Sequence, residues 1–350
     1  MSDTMKVVAF VEAKKVEIKE VKRPKAHPYQ IIMKVHGCSI CTFEQRMFQG
    51  VVHIPFPYVG GHEVFGEVAE VGSKVNAKTY PVGTKIVARL LNACGECYYC
   101  RRGEENLCIN GNDLEVDQMD IPGIGGLAQY IALSAKQVYK MPDDTDLKTG
   151  VFAEPLACVL NSIEIGHPEI GDDVVVLGGG IMGQLHVLIA KMHGCRVVMS
   201  EPDPVRREHA KRLGCDVVIN PFEIDPVEYV KSITDGRGAE VVFNTTAVAA
   251  VAKQAVLMTA PLGRTVMYST VEPDTPFEVS GKRIHNTQMN ITGAVSPTVR
   301  SFDRAVRLLS KRIVDPTSLV YGVYSHQDAQ NGFEAAIDPK TMRVIIDFKD

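Results

Sequence analysis

The run CGECYYCRRGEENLC sets Cys94, Cys97 and Cys100 at every third position and adds Cys108 after a short loop. Four thiolates so spaced can wrap one tetrahedral ion, and a closed shell of four leaves no position for substrate, as in structural zinc sites. Scattered core thiols are the competing explanation. The intervening Glu96, Tyr98, Tyr99, Arg101, Arg102, Glu104 and Glu105 make the segment too polar for a core strand. Disulfides would need an oxidising compartment. The start, MSDTMKVVAF, lacks the basic, apolar and small-residue regions of a signal peptide. No stretch approaches the ~18 apolar residues of a membrane span. The expectation is a cytoplasmic chain with no membrane partner, whose clustered cysteines bind zinc for architecture.

At 350 residues the chain is longer than a single core usually sustains, so two domains are expected. A formal charge of −4 without long basic runs argues against nucleic acid as a partner. Up to about Met141, short Val- and Ile-rich runs such as MKVVAFVEA, QIIMKVHG and EVFGEVAEVG are broken by Gly and Pro, which predicts a twisted antiparallel β-domain. From about Leu147, helical stretches such as IMGQLHVLIAKMHG and PVRREHAKRLG alternate with apolar strands such as DDVVVLG, RVVMSE and EVVFNTT. That alternation predicts a parallel, doubly wound sheet. From about Ser296, the amphipathic FDRAVRLLSKR and the closing strands VYGVYS and RVIIDF are expected to return to the first domain.

A predicted strand, VVVLG, runs directly into GGGIMG, so Gly178, Gly180 and Gly183 form G-x-G-x-x-G at the start of a helix. The first glycine permits the tight turn, the second lets the backbone approach a pyrophosphate, and the third lets helix and strand pack closely. The phosphates would meet the helix N-terminus at Ile181 and Met182, where unpaired N–H groups and the macrodipole favour negative charge. Glu201 ends the next strand about 20 residues on, where an acid hydrogen-bonds the ribose hydroxyls and repels a 2′-phosphate. NAD is therefore expected over NADP. Arg206 and Arg207 follow closely; contact with an NADP phosphate is the competing role, and solvation of a helix surface the plainer one.

Gly61-His62-Glu63 lies between β segments, with Cys41 about 20 residues upstream. One Cys, one His and a carboxylate make an open zinc site with a fourth position for water or substrate. Alone, a His is more often a satisfied polar residue and a Cys a core thiol. Joined to the four-cysteine loop and the glycine turn, they carry a resemblance over nearly the whole chain. On GGHEVFGEVAEVG, the cysteine lobe, GGGIMG with Glu201, and MRVIIDF, the chain resembles the zinc-dependent medium-chain dehydrogenases of the alcohol dehydrogenase superfamily.

The resemblance implies an α/β protein: a GroES-like twisted β catalytic domain over 1–155 with the zinc lobe at about 94–108, a Rossmann doubly wound domain over 156–295, and a return segment over 296–350. It implies Cys41 and His62 as catalytic zinc ligands. FAEPLACVL carries the EPL motif of the polyol branch, which makes Glu154 the third. Glu63 is the neighbouring acid that ligates zinc or exchanges with water, and Glu44 accepts the other N–H of the zinc-bound His. Cys158, one helical turn past Glu154, is read as packing, with ligation the lesser alternative. Arg343 matches the position that reaches the cofactor pyrophosphate. Two zincs per chain, NAD and assembly as a homodimer or homotetramer follow by the same route.

Implied with these is the interconversion of a secondary alcohol, a polyol or sugar alcohol, and its ketone, with zinc as Lewis acid and the nicotinamide as hydride carrier. One departure stands out. The run Cys41-Thr42-Phe43-Glu44-Gln45-Arg46 has Phe43 where the family usually places a hydroxyl, so Thr42, Glu63 or water must pass the alcohol proton, unless Phe43 only shapes the pocket. If alcohol chemistry is lost, the alternatives are a carbonyl or enoyl reductase that leans little on zinc, or a non-catalytic dinucleotide-binding protein.

Overall fold

Short apolar runs fold as strands where alternate side chains face a core, and as helices where apolar residues recur every three to four positions. The strands are β1 (Thr4–Glu12), β2 (Lys15–Lys22), β3 (Gln30–Ser39), β4 (Glu63–Val71), β5 (Lys85–Ala88), β6 (Tyr130–Ser134) and β7 (Val138–Lys140). After the helix Ala153–Gly166 come β8 (Asp173–Leu177), β9 (Arg196–Ser200), β10 (Val217–Ile219), β11 (Ala239–Asn244), β12 (Thr259–Met267) and β13 (Asn290–Gly293), and the chain closes with β14 (Val320–Ser325) and β15 (Arg343–Asp347). The computed structural model describes residues 3–111, 119–271 and 274–349. Two units separate: Met1–Ala157 together with Thr298–Asp350, and Cys158–Pro297.

In the first unit β1 and β2 form an antiparallel hairpin, and a seven-stranded sheet runs β14-β15-β3-β4-β5-β7, with β6 on β3. Its pairings are antiparallel except β14 with β15. Those two are parallel because the helix Ala329–Ala336 crosses over between them, the connection that parallel neighbours require. The same helix supplies Phe333, whose ring meets Phe10 edge-on at 5.1 Å and stacks on Phe48 at 5.2 Å in the core. The helix Val299–Ser310 buries Phe302, Ala305, Val306 and Leu309 along one stripe, and Thr298 caps it by accepting from Ser301 N–H at 3.0 Å.

The second unit is an all-parallel sheet in the order β10-β9-β8-β11-β12-β13. Every residue of β8 is buried, as expected of a strand covered by helices on both faces. Strand order reverses between β8 and β11, and in open α/β sheets ligands bind beyond the carboxyl ends of the strands at such a switch point. The glycine turn leaves β8 there. Among the described residues no helix is long and apolar enough to cross a membrane.

Candidate active site

β3 lies between β4 and β15, and this register assembles the first cluster. Ser39 pairs with Glu63 on one side and with Ile345 on the other, so Cys41, just past β3, comes near His62 and Arg343 at the starts of the flanking strands. Ligand atoms of Cys41, His62 and Glu63 all lie within 4.8 Å of one another. Cys41 caps the helix Thr42–Phe48 in extended conformation, and Glu44, in the first turn, points inward. Glu44 Oε1 stands 2.9 Å from His62 Nδ1 and accepts from Gly61 N–H at 3.0 Å. With Nδ1 so engaged, Nε2 is the ring nitrogen left for a metal.

Electrostatics in the cluster are strained by burial. Burial disfavours the charged ring of His62, but Glu44 and Cys41 together hold its pKa well above the usual range. Burial pushes Glu63 up to about 7, with Glu154 adding to the rise and Arg343 opposing it. Ser39 Oγ donates to Glu63 Oε2, Arg343 Nη1 lies 3.2 Å from the same oxygen, and Arg343 Nη1 also donates to the Ile40 carbonyl at 2.7 Å. Oε1 of Glu63 is buried with no hydrogen-bond partner among the described residues. An unsatisfied carboxylate oxygen beside a thiol and an imidazole is the donor set of an open zinc site, so these residues fit the metal.

Placement differs among the expected site residues. Glu154 lies in the first turn of the helix Ala153–Gly166 and outside the three-ligand cluster, although its charge acts on Glu63 and Arg343. Thr42 is exposed. Phe43 is 41% exposed and turns its ring edge toward His62 at 6.3 Å between centroids. Arg343, expected at the pyrophosphate, is buried and held by Glu63 and Ile40. Ser39 and this role of Arg343 escape a sequence reading, because nothing local marks either residue.

The second cluster joins Cys94, Cys97, Cys100 and Cys108, whose sulfurs also lie within 4.8 Å of one another. Two short 3₁₀ turns, Cys100–Arg102 and Glu105–Leu107, fold the loop back on itself. Cys94 N–H donates to the Cys108 sulfur and Cys97 N–H to the Cys94 sulfur, each at 3.3 Å. Backbone donors, with that of Cys100 foremost, lower the Cys97 thiol to about 6, and donors led by Cys94 lower Cys108. None of the nine cysteines is in a disulfide. Burial pushes the Cys100 thiol up to about 12 in the absence of a cation. Four convergent sulfurs, with Cys97 and Cys108 already favoured as thiolates, fit a structural zinc.

In the second unit Gly178 has φ +96°, and a Cβ on Gly183 would stand 1.9 Å from the Gly178 carbonyl oxygen. Those two positions require glycine, one for the turn and one for the close packing of helix on strand. Around Gly180, the cap of the helix Ile181–Met192, a Cβ would meet nothing within 4 Å, which leaves room for a ligand at the amides of Ile181 and Met182. Thr245 Oγ1 donates to the Leu177 carbonyl at 2.8 Å and fastens the turn to the end of β11. Glu201 is buried and its carboxylate accepts from backbone N–H groups of Gly179 and Asp203 at 2.5 and 2.8 Å. Each carboxylate oxygen retains a lone pair for a ribose hydroxyl.

Residues 27–143 match the model of the alcohol dehydrogenase GroES-like domain, and residues 182–311 that of the zinc-binding dehydrogenases. A 2-dehydro-3-deoxy-L-galactonate 5-dehydrogenase from Pseudoalteromonas atlantica is 31% identical over 91% of both chains. The chain belongs to the zinc-dependent medium-chain dehydrogenases. Within that family it is similar to an L-threonine 3-dehydrogenase from Pyrococcus abyssi, 35% identical over 74% of each chain. A zinc-binding dehydrogenase from Sinorhizobium meliloti 1021, solved with NADP bound, superposes with a TM-score of 0.90 at 25% identity, covering 99% of this chain and 100% of the other. The dehydrogenase is thus an alcohol oxidoreductase that acts on small molecules, with zinc and a nicotinamide dinucleotide as cofactors.

Proposed function

We propose that this dehydrogenase interconverts a secondary alcohol carrying further polar groups and the corresponding ketone, with zinc and NAD. The cluster of Cys41, His62 and Glu63 carries the reading. Cys41 and His62 hold the catalytic zinc with Glu63, and Glu154 is the second carboxylate able to exchange into the shell. Cys94, Cys97, Cys100 and Cys108 hold a structural zinc. When bound, the catalytic metal supplies Lewis acidity toward the substrate oxygen and the nicotinamide accepts or returns hydride.

The protein's own groups set the conditions. Glu44 fixes the tautomer and orientation of His62. Ser39 and Arg343 keep Glu63 from swinging freely. Thr42 is exposed whereas Glu63 is buried, so Thr42 is the better placed to pass the hydroxyl proton to solvent; Phe43 supplies an apolar wall beside His62. Gly178, Gly180 and Gly183 admit the pyrophosphate, and Glu201 meets the adenosine ribose. Arg206 and Arg207 belong to the helix Pro204–Arg212, where Arg207 binds the Glu201 and Pro202 carbonyls.

Two relatives support the substrate class, since their names specify oxidation at carbon 5 of a sugar acid and carbon 3 of threonine, both secondary alcohols flanked by polar groups. A homodimer or homotetramer is consistent with β13, an edge strand whose Ile291 stays exposed and whose open side a second copy can extend. Sedimentation velocity tests the assembly. A screen of polyols, sugar acids and amino alcohols with NAD or NADP tests the activity: turnover of a secondary alcohol with NAD is expected, and activity confined to carbonyl or enoyl reduction would refute it.

A further inference from the structure

Gly179 lies between two side chains that arrive from different elements. Its N–H donates to Glu201 Oε2 at 2.5 Å, and its carbonyl accepts from Gln184 Nε2 at 2.8 Å. The same Nε2 donates its second hydrogen to the Arg206 carbonyl at 2.9 Å, in the first turn of the helix Pro204–Arg212. Between Glu201 and Arg206 the chain completes the ring. Glu201 Oε1 accepts from Asp203 N–H at 2.8 Å, and Asp203 Oδ1 accepts from Arg206 N–H at 2.9 Å. Arg207 Nη1 donates to the carbonyls of Glu201 and Pro202 at 2.8 and 2.6 Å. Gln184 is fully buried, and both its amide hydrogens are used inside this ring.

We infer that Gln184 is a positioning residue that pins the Glu201 loop to the phosphate-binding turn and thereby sets dinucleotide specificity. The inference rests on the reading that this turn takes NAD. An acid on a free loop relieves repulsion from a 2′-phosphate by moving away. An acid whose loop is tied to the glycine turn through Gly179 and Arg206 meets that phosphate at a fixed distance, so repulsion becomes discrimination. Arg207 spends Nη1 on loop carbonyls and stiffens the same loop instead of offering that nitrogen to a phosphate. Without the Gln184 donors the buried carbonyl of Gly179 and the half-buried one of Arg206 lose a partner, and the loop relaxes to recover one.

The test is calorimetric binding of NAD and NADP to the zinc-loaded, full-length protein and to Gln184→Met and Gln184→Glu, with circular dichroism and zinc content confirming the fold. Gln184→Met keeps the length and loses both donors. Gln184→Glu keeps the shape and volume, and carries the comparison where the methionine variant does not fold. The wild type is expected to prefer NAD, and the ratio of the NADP to the NAD Kd to fall roughly tenfold in the variants, the effect of one buried hydrogen bond. Equal weakening of both dinucleotides, with the ratio unchanged, would make Gln184 merely structural and overturn the inference. Absence of NAD preference in the wild type overturns instead the NAD reading on which it rests, and is read from the wild type alone.

Discussion

Arg343 Nη1 stands 3.2 Å from Glu63 Oε2, and both side chains are almost fully buried, so the last strand of the chain neutralises an acid at the start of β4. Removing one member of a buried pair leaves an uncompensated charge. Arg343→Leu is expected to lower stability by about 3–5 kcal/mol in urea denaturation, and adding Glu63→Gln to recover a large part of that loss. Additive losses would deny the coupling.

Glu44 is expected to act through His62. Glu44→Gln keeps the side-chain shape but removes the anionic acceptor at Nδ1, and should weaken binding of the catalytic zinc roughly 10–100-fold while the cysteine-bound zinc stays. Competition with a chromophoric chelator measures both sites. Equal loss from the two sites would mean a global defect.

How much of this was legible in sequence depended on how local each cause is. The cysteine lobe and the glycine turn are short-range devices, and spacing alone brought together Cys94 with Cys108 and Gly178 with Gly183. The β-rich start, the alternating middle and the closing strands were legible for the same reason. Glu44 was legible only by family likeness, although its position in the first turn after Cys41 is local. Ser39, the Arg343–Glu63 pair and Gln184 were not legible, because each acquires its partner through strand register or helix packing between distant segments. Both candidate carboxylates, Glu154 from the EPL motif and Glu63 beside His62, were named from family likeness; that Glu63 lies against Cys41 and His62 comes from the register of β3 and β4.

Cys100→Ser is expected to remove one zinc and lower stability by several kcal/mol, roughly the scale on which structural zinc contributes to folding, before it alters hydride transfer. Metal analysis and turnover per folded chain check this together. Lost turnover in a fully folded, normally assembled variant would contradict the architectural role.

His186 is fully buried between Ser162 Oγ, 2.9 Å from Nε2, and the Met182 carbonyl, 2.7 Å from Nδ1. Burial drives its pKa from the ordinary 6.5 to about 4. As pH falls below 6.5 the unfolded chain takes up a proton that the folded chain refuses, so stability present above 6.5 is lost progressively down to about 4. The expected slope from this residue is about 1.4 kcal/mol per pH unit. Denaturant midpoints at pH 7, 6 and 5 should therefore fall more steeply in the wild type than in His186→Gln; parallel curves would exclude a neutral buried ring.

The central claim is that the cluster of Cys41, His62 and Glu63 holds a zinc on which alcohol oxidation depends. Zinc content per chain, followed through graded chelation alongside NAD-linked oxidation of a secondary alcohol, tests it most directly. The account predicts two zincs per chain at the start and loss of activity in step with departure of the first, with recovery when zinc is returned. Full activity in protein that retains only the zinc of Cys94, Cys97, Cys100 and Cys108 would contradict it.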